Sequence, residues 1–133
     1  MPARAMDWFR EALEDLESAQ ILAEHGQYHH ACFHAQQAAE KAVKAALRHF
    51  NTIMTGHSVT RLLEALRSRA EVPQQLMDDA RVLDQYYIPP RYPNSFTEGS
   101  PADYYTRDQA LRAIDAARRI VEHVRGIITK ENT

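Results

Sequence analysis

The chain has 133 residues, 44% hydrophobic and 26% charged, with only 4 glycines; one domain fits that length, and the composition excludes a disordered, collagen-like or linker-dominated chain. With 16 Lys and Arg against 18 Asp and Glu, the formal charge is -2, so no global basic field draws the molecule to nucleic acid or acidic membrane, and any polyanion site has to be local. The lone Cys32 excludes an intrachain disulfide and a cysteine-based zinc site, and with no long apolar run and no signal-like start between Met1 and Arg10 the expectation is a soluble, cytoplasmic protein without a membrane partner.

From Ala5 to His25, Phe9, Ala12, Leu13, Leu16, Ala19, Leu22 and Ala23 recur every three or four residues, which predicts an amphipathic helix closed by Gly26. A second helix is predicted from Tyr28 to Phe50, with Ala31, Ala35, Ala38, Ala39, Ala42, Val43, Ala46 and Leu47 on one stripe; small side chains there permit close helix contact. Residues 51–57 (Asn-Thr-Ile-Met-Thr-Gly-His) break the period and read as a loop. Ser58 opens a short third helix carrying Val59, Leu62, Leu63 and Leu66 and ending near Arg69. Pro73 starts a fourth, whose buried stripe is Met77, Ala80 and Leu83, with Tyr87 as an extension.

From Tyr86 to Tyr105 there is no helical period, and four of the chain's 6 prolines fall in that stretch. A loop of such length in so small a domain is often functional. Thr106-Arg107-Asp108-Gln109 then reads as a capping box. The last helix buries Ala110, Ile114, Ala117, Val121, Val124 and Ile128, and Lys130 to Thr133 reads as a frayed tail. No strand pattern occurs. The fold class is all-α: one domain, residues 1–133, an up-and-down bundle of four to five helices framed by the two N-terminal helices and the last one.

Between Asp84 and Pro93, Tyr86, Tyr87 and Tyr92 flank Arg91 among three prolines. Proline fixes φ and holds its neighbours in place, a guanidinium so presented suits a phosphate, and tyrosines beside it can stack a base. The alternative is that Arg91 pairs with Asp84 or a helix carboxylate and the tyrosines pack the loop onto the bundle. In the second helix, Gln37, Lys41 and Lys44 fall on one side at i, i+4 and i+7, where two lysines could hold a phosphate; the alternative is a Glu40–Lys44 pair on a solvated face, with Gln36 or Gln37 buried against a partner helix.

His25, His29, His30 and His34 include an i, i+4 pair but no His-Glu-x-x-His pattern, so no metal is expected, nor any cofactor. His57, between Gly56 and Ser58, reads as a loop or helix-entry residue that hydrogen-bonds locally, the alternative being that it lines a site. Arg118 and His123 match an Arg-x4-His spacing, yet five helical residues turn by about 500°, so the two side chains diverge by roughly 140° within one chain.

Taken in order, Ala35-Gln36-Gln37-Ala38-Ala39-Glu40-Lys41-Ala42-Val43-Lys44-Ala45, Gly56-His57-Ser58 with Leu62-Leu63, Leu83-Asp84-Gln85-Tyr86-Tyr87-Ile88-Pro89-Pro90-Arg91-Tyr92-Pro93, and Tyr105-Thr106 resemble the HEPN domain family, in particular its small stand-alone prokaryotic branch with an Arg-Tyr-Pro loop. The resemblance covers nearly the whole chain. It implies a helical bundle, a homodimer, association with nucleotide or RNA, and a minimal nucleotidyltransferase as partner in a toxin–antitoxin-like pair. On that basis Arg91 is expected to hold phosphate, Tyr92 and Tyr87 to contact base or ribose, and Lys41, Lys44 and His57 to support them. Ribonuclease members of the family carry Arg-x4-6-His near the start of the last helix, paired across a dimer, and some extend it to a Tyr. Here the match, Arg118 and His123, lies late in that helix, Arg125 stands where the Tyr would be, and Arg107 has no His in reach. The reading therefore leans to a binding module, with a metal-independent ribonuclease toxin resting on Arg118 and His123, or a purely structural interaction domain, as alternatives.

Overall fold

The computed structural model describes residues 4–129, and all its regular structure is helical: α1 (Ala5–Glu24), α2 (Tyr28–His49), α3 (Val59–Leu66), α4 (Gln74–Leu83) and α5 (Arg107–Thr129), with single 3-10 turns at Asp84–Tyr86, Pro93–Ser95 and Pro101–Asp103. The expected tail from Lys130 lies outside the described residues. No helix is long and apolar enough to cross a membrane.

Helix ends follow local chemistry. After α1, Gly26 takes φ 78, its N–H bonds Ala23 O at 3.1 Å, and the Gln27 N–H reaches back to Leu22 O at 2.8 Å, the paired bonds of a Schellman stop. The same device ends α2 on a non-glycine residue: Asn51 takes φ 59, and Asn51 and Thr52 N–H groups bond Arg48 O and Leu47 O, both at 2.9 Å. Asparagine tolerates this left-handed region better than most side chains. At the start of α5 the Thr106 hydroxyl accepts from Gln109 N at 3.2 Å while Gln109 Oε1 accepts from Thr106 N at 2.9 Å, so the expected capping box is present. α3 stops at Leu66 rather than near Arg69, and turns carry the chain on to Ala70.

α2 is the centre of the bundle and packs on α1, α3, α4 and α5. Its Ala31, Ala35, Ala38, Ala39, Ala42, Ala45 and Ala46 are fully buried, so the neighbouring helices meet it through methyl groups, and Leu47, Leu62, Leu63, Leu66, Leu83 and Ile120 fill the remaining space. Cys32 is buried in that core, which pushes its thiol pKa up to about 12; such a thiol is inert. Across α4 and α5 the buried Asp79 receives both Nε and Nη2 of Arg119 at 2.9 Å, a paired geometry that fixes the register of the two helices.

The proline-bearing segment before α5 is ordered by its own contacts. Phe96 and Tyr104 stack at 4.4 Å, the Tyr104 hydroxyl donates to Glu98 O, and Tyr86 meets Tyr105 edge-on at 6.0 Å. Tyr87, expected to continue the α4 stripe, lies beyond the helix end and packs elsewhere, as described next.

Candidate functional site

Two segments deliver the site to one face of α2. The first is the 51–57 loop, in which Gly56 takes φ 103, a conformation that side chains rarely adopt. The second is the stretch from the end of α4 to Pro93. Asp84 ties the two together: its carboxylate accepts from Val59 N at 2.7 Å, Thr60 N at 3.2 Å and the Ser58 hydroxyl at 3.0 Å, so it caps the first turn of α3 and is not the partner of Arg91.

Arg91 is instead held by aromatic rings. Its Cζ lies 4.4 Å from the ring centroid of Phe33, 4.5 Å from that of Tyr87 and 5.2 Å from that of Tyr92, and its Nε donates to Tyr87 O at 2.7 Å. No carboxylate among the described residues pairs with it. A guanidinium stacked on rings and fixed through Nε keeps its planar outer N–H groups for a second function. Tyr87 is half-buried and Tyr92 exposed, so the arrangement opens to solvent on the Tyr92 side.

The other side of Tyr87 belongs to His57. The two rings stack at 4.3 Å and 16° between planes, and His57 Nδ1 lies 3.2 Å from both carboxylate oxygens of Glu40. Glu40, buried on α2, also receives Gln36 Nε2 at 3.2 Å and Lys44 Nζ at 2.9 Å, while Gln36 Nε2 reaches His57 O at 2.9 Å. Contacts therefore run unbroken from Tyr92 through Arg91, Tyr87, His57 and Glu40 to Lys44. Beside them opens a groove of about 320 Å³ whose walls include His57, Gln85, Tyr87, Ile88 and Pro89.

Lys41 points away from this chain of contacts. Its Nζ sits 2.7 Å from Asp15 of α1, which His34 Nδ1 also meets at 3.2 Å. Burial raises the Asp15 carboxyl pKa, but the hydrogen bonds and charges of His34 and Lys41 outweigh it, and the net direction is downward. Both lysines are thus engaged with carboxylates of the fold, Lys44 by the i, i+4 pair weighed from sequence and Lys41 by a partner on another helix.

The rings of His29 and His30 lie 3.9 Å apart, tilted by 37°, and among the described residues no group of His, Cys, Asp and Glu is placed to hold a metal ion. Arg118 bonds Asp115 at 3.1 Å and borders a groove between α1 and α5, whereas His123 Nε2 meets Glu71 O at 2.7 Å beside the α3–α4 connection. They occupy opposite flanks of α5, in keeping with the divergence expected from helix geometry. Sequence reasoning missed Phe33 as the third ring around Arg91 and Asp84 as the cap of α3. It saw Glu40 only as a partner of Lys44, because nothing in local spacing reveals the approach of His57.

A model of the HEPN domain matches residues 5–127. The solved structure of TT1696 from Thermus thermophilus is similar at 42% identity, covering 96% of this chain and 99% of that one, with a TM-score of 0.92. ST0689, described as an archaeal HEPN homologue, is similar at 40% identity over 94% and 98% of the two chains with a TM-score of 0.81. An HEPN domain protein of Thermotoga maritima, tm0613, gives 37% identity over 92% and 98% with a TM-score of 0.77. A Methanocaldococcus jannaschii protein named "Putative toxin MJ1304" is 25% identical over 133 residues, covering 93% of this chain and 88% of that protein.

Proposed function

We propose that this chain, which belongs to the HEPN domain family, is a binding module that grips a nucleotide, free or within RNA, through the phosphate-directed guanidinium of Arg91. The observation that carries the reading is the seating of Arg91 on Phe33, Tyr87 and Tyr92 with its Nε on Tyr87 O and no carboxylate partner among the described residues. A cation oriented by the fold and left without a counter-charge at a solvent-facing edge is suited to an incoming anion. Tyr92 offers an exposed ring on which a base can stack. Lys44, bound to Glu40, serves this site as a support of its floor, and Lys41 as a tie between α1 and α2.

The family resemblance supports a homodimer paired with a minimal nucleotidyltransferase, and the name of the Methanocaldococcus relative supports a toxin–antitoxin-like setting for that pair. A ribonuclease built on Arg118 and His123 would need the second copy to supply one of the two, since a single chain holds them on opposite flanks of α5.

Calorimetric titration with ATP at low salt and without metal tests the reading. Saturable binding is expected, with affinity about tenfold weaker in Arg91→Ala, equivalent to about 1.4 kcal/mol. Equal affinity in the variant, or no heat at ATP concentrations of about 1 mM, would remove Arg91 from the role given to it here.

A further inference from the structure

His57 combines two properties that a packing histidine does not need together: it is oriented on several sides and it is left uncovered. Its Nδ1 faces both oxygens of Glu40 at 3.2 Å, its ring lies on Tyr87 at 4.3 Å, and its own carbonyl accepts from Gln36 Nε2 at 2.9 Å. Yet 54% of its side chain is exposed, against 5% for Glu40. An ionised carboxylate only accepts hydrogen bonds, so Nδ1 carries the proton that points at Glu40, and in the neutral ring the outer Nε2 is a lone pair with nothing to offer an anion. A second proton turns Nε2 into a donor and the ring into a cation beside a carboxylate that it shares with Lys44.

The ring that supports this imidazole also supports the guanidinium of Arg91, whose Cζ is 4.5 Å from the Tyr87 centroid. The Tyr87 ring thus stands between the two nitrogen groups: His57 lines a groove of about 320 Å³, at the lower end of the range for small-ligand sites, and Arg91 lies across the ring from it, so a ligand that meets both has to reach past Tyr87. We infer that His57 is a second, proton-gated anion ligand of the Arg91 site, and that the ligand is a nucleoside di- or triphosphate, whose chain carries enough anionic groups to meet the guanidinium and the imidazolium at once. This rests on the reading of Arg91 as the phosphate holder.

The charged and titratable groups around the imidazole are Glu40 and Lys44 of α2, Arg61 of α3, Asp84 after α4, and Tyr87 and Arg91 of the following segment. Lys44 is committed to Glu40 at 2.9 Å and Asp84 to the first turn of α3. Histidine is the side chain type that ordinarily changes charge between about pH 5 and 8, and among the groups just named the imidazole alone is of that type.

The test is calorimetric titration of ATP and AMP into wild type and His57→Ala at about pH 6 and about pH 8, in buffers of different ionisation enthalpy. The ligand's terminal phosphate titrates near pH 6 on its own, so the two proteins are compared at each pH. ATP should bind wild type about five- to tenfold more tightly than His57→Ala at the lower pH and equally at the higher, a tenfold step being the limit for one coupled proton per pH unit. The buffer dependence should report proton uptake in wild type and less in the variant, and AMP should bind more weakly than ATP at the lower pH. ATP binding that depends on Arg91, with no proton uptake and a constant ratio between the two proteins, would overturn the role of His57 while leaving the nucleotide-binding reading intact. AMP binding as tightly as ATP would overturn the polyphosphate assignment. No saturable binding by wild type at either pH would overturn the nucleotide-binding reading and this inference with it.

Discussion

Asp15 shows how a single carboxylate joins two helices. It sits on α1 with 10% of its side chain exposed, and both its partners, Lys41 at 2.7 Å and His34 at 3.2 Å, come from α2. Burial alone would raise its pKa, but the hydrogen bonds and charges of His34 and Lys41 bring it below the ordinary carboxylate value. A carboxyl whose folded-state pKa is depressed contributes stability that is present above its unfolded value of about 3.9 and is lost as pH falls through the folded value. Asp15→Asn should therefore lower the urea-unfolding free energy by about 1–3 kcal/mol at neutral pH, and the difference from wild type should shrink below about pH 4. A penalty of equal size at both ends of that range would mean that the charge of Asp15 contributes nothing. At this scale the sequence was legible where partners are close along the chain: Glu40 and Lys44 are one helical turn apart and pair as i, i+4 residues do. Lys41 was not, because its partner Asp15 lies on another helix, and which carboxylate of α1 it reaches depends on how the helices rotate against each other.

Elements were legible where they repeat. The apolar stripes of α1, α2 and α5 extend over several turns, and the residues expected in the core of α5 are all buried. The 3-10 turns at Asp84–Tyr86, Pro93–Ser95 and Pro101–Asp103 are single turns, and a single turn has no period to detect. Phe33 was overlooked for a related reason: it is half-buried on the flank of the α2 stripe, and its ring gains a role only when the 84–93 segment lays Arg91 on it. The same segment supplies Asp84 to α3, an element of eight residues that has its own Ser58 cap and still relies on a carboxylate 25 positions away for Val59 N. Loss of a helix cap generally costs about 0.5–2 kcal/mol. Asp84→Ala removes the acceptor of three donors at once and should cost about 2 kcal/mol by urea unfolding. It should also loosen the 51–57 loop, which seats His57 on Tyr87, and so weaken ATP binding at about pH 6. An unfolding midpoint within error of wild type would show that Ser58 caps α3 adequately by itself.

At the scale of the whole molecule, α2 has two sides with different duties. One is a run of fully buried alanines against which the other helices pack, and the other carries Phe33, Gln36, Glu40 and Lys44 under the candidate site. Enlarging a residue in a closely packed core costs about 1–3 kcal/mol through strain and displaced backbone. Ala42, with no exposed surface, has no way to turn an added side chain toward solvent, so Ala42→Leu has to push a neighbouring helix outward. It should lower the urea midpoint while ATP affinity in the folded protein stays within about threefold of wild type, because contacts on opposite sides of a helix with no shared partners are nearly additive. Arg91→Ala should weaken ATP binding far more than Ala42→Leu does, at a stability cost of about 0.5–2 kcal/mol from the lost ring contacts and the lost hydrogen bond to Tyr87 O. Combining the two substitutions then tests the separation directly. If the double variant loses more affinity or stability than the two single changes together, helix packing and the site are coupled through α2, and a shift of α1 or α5 would be felt at His57 and Arg91.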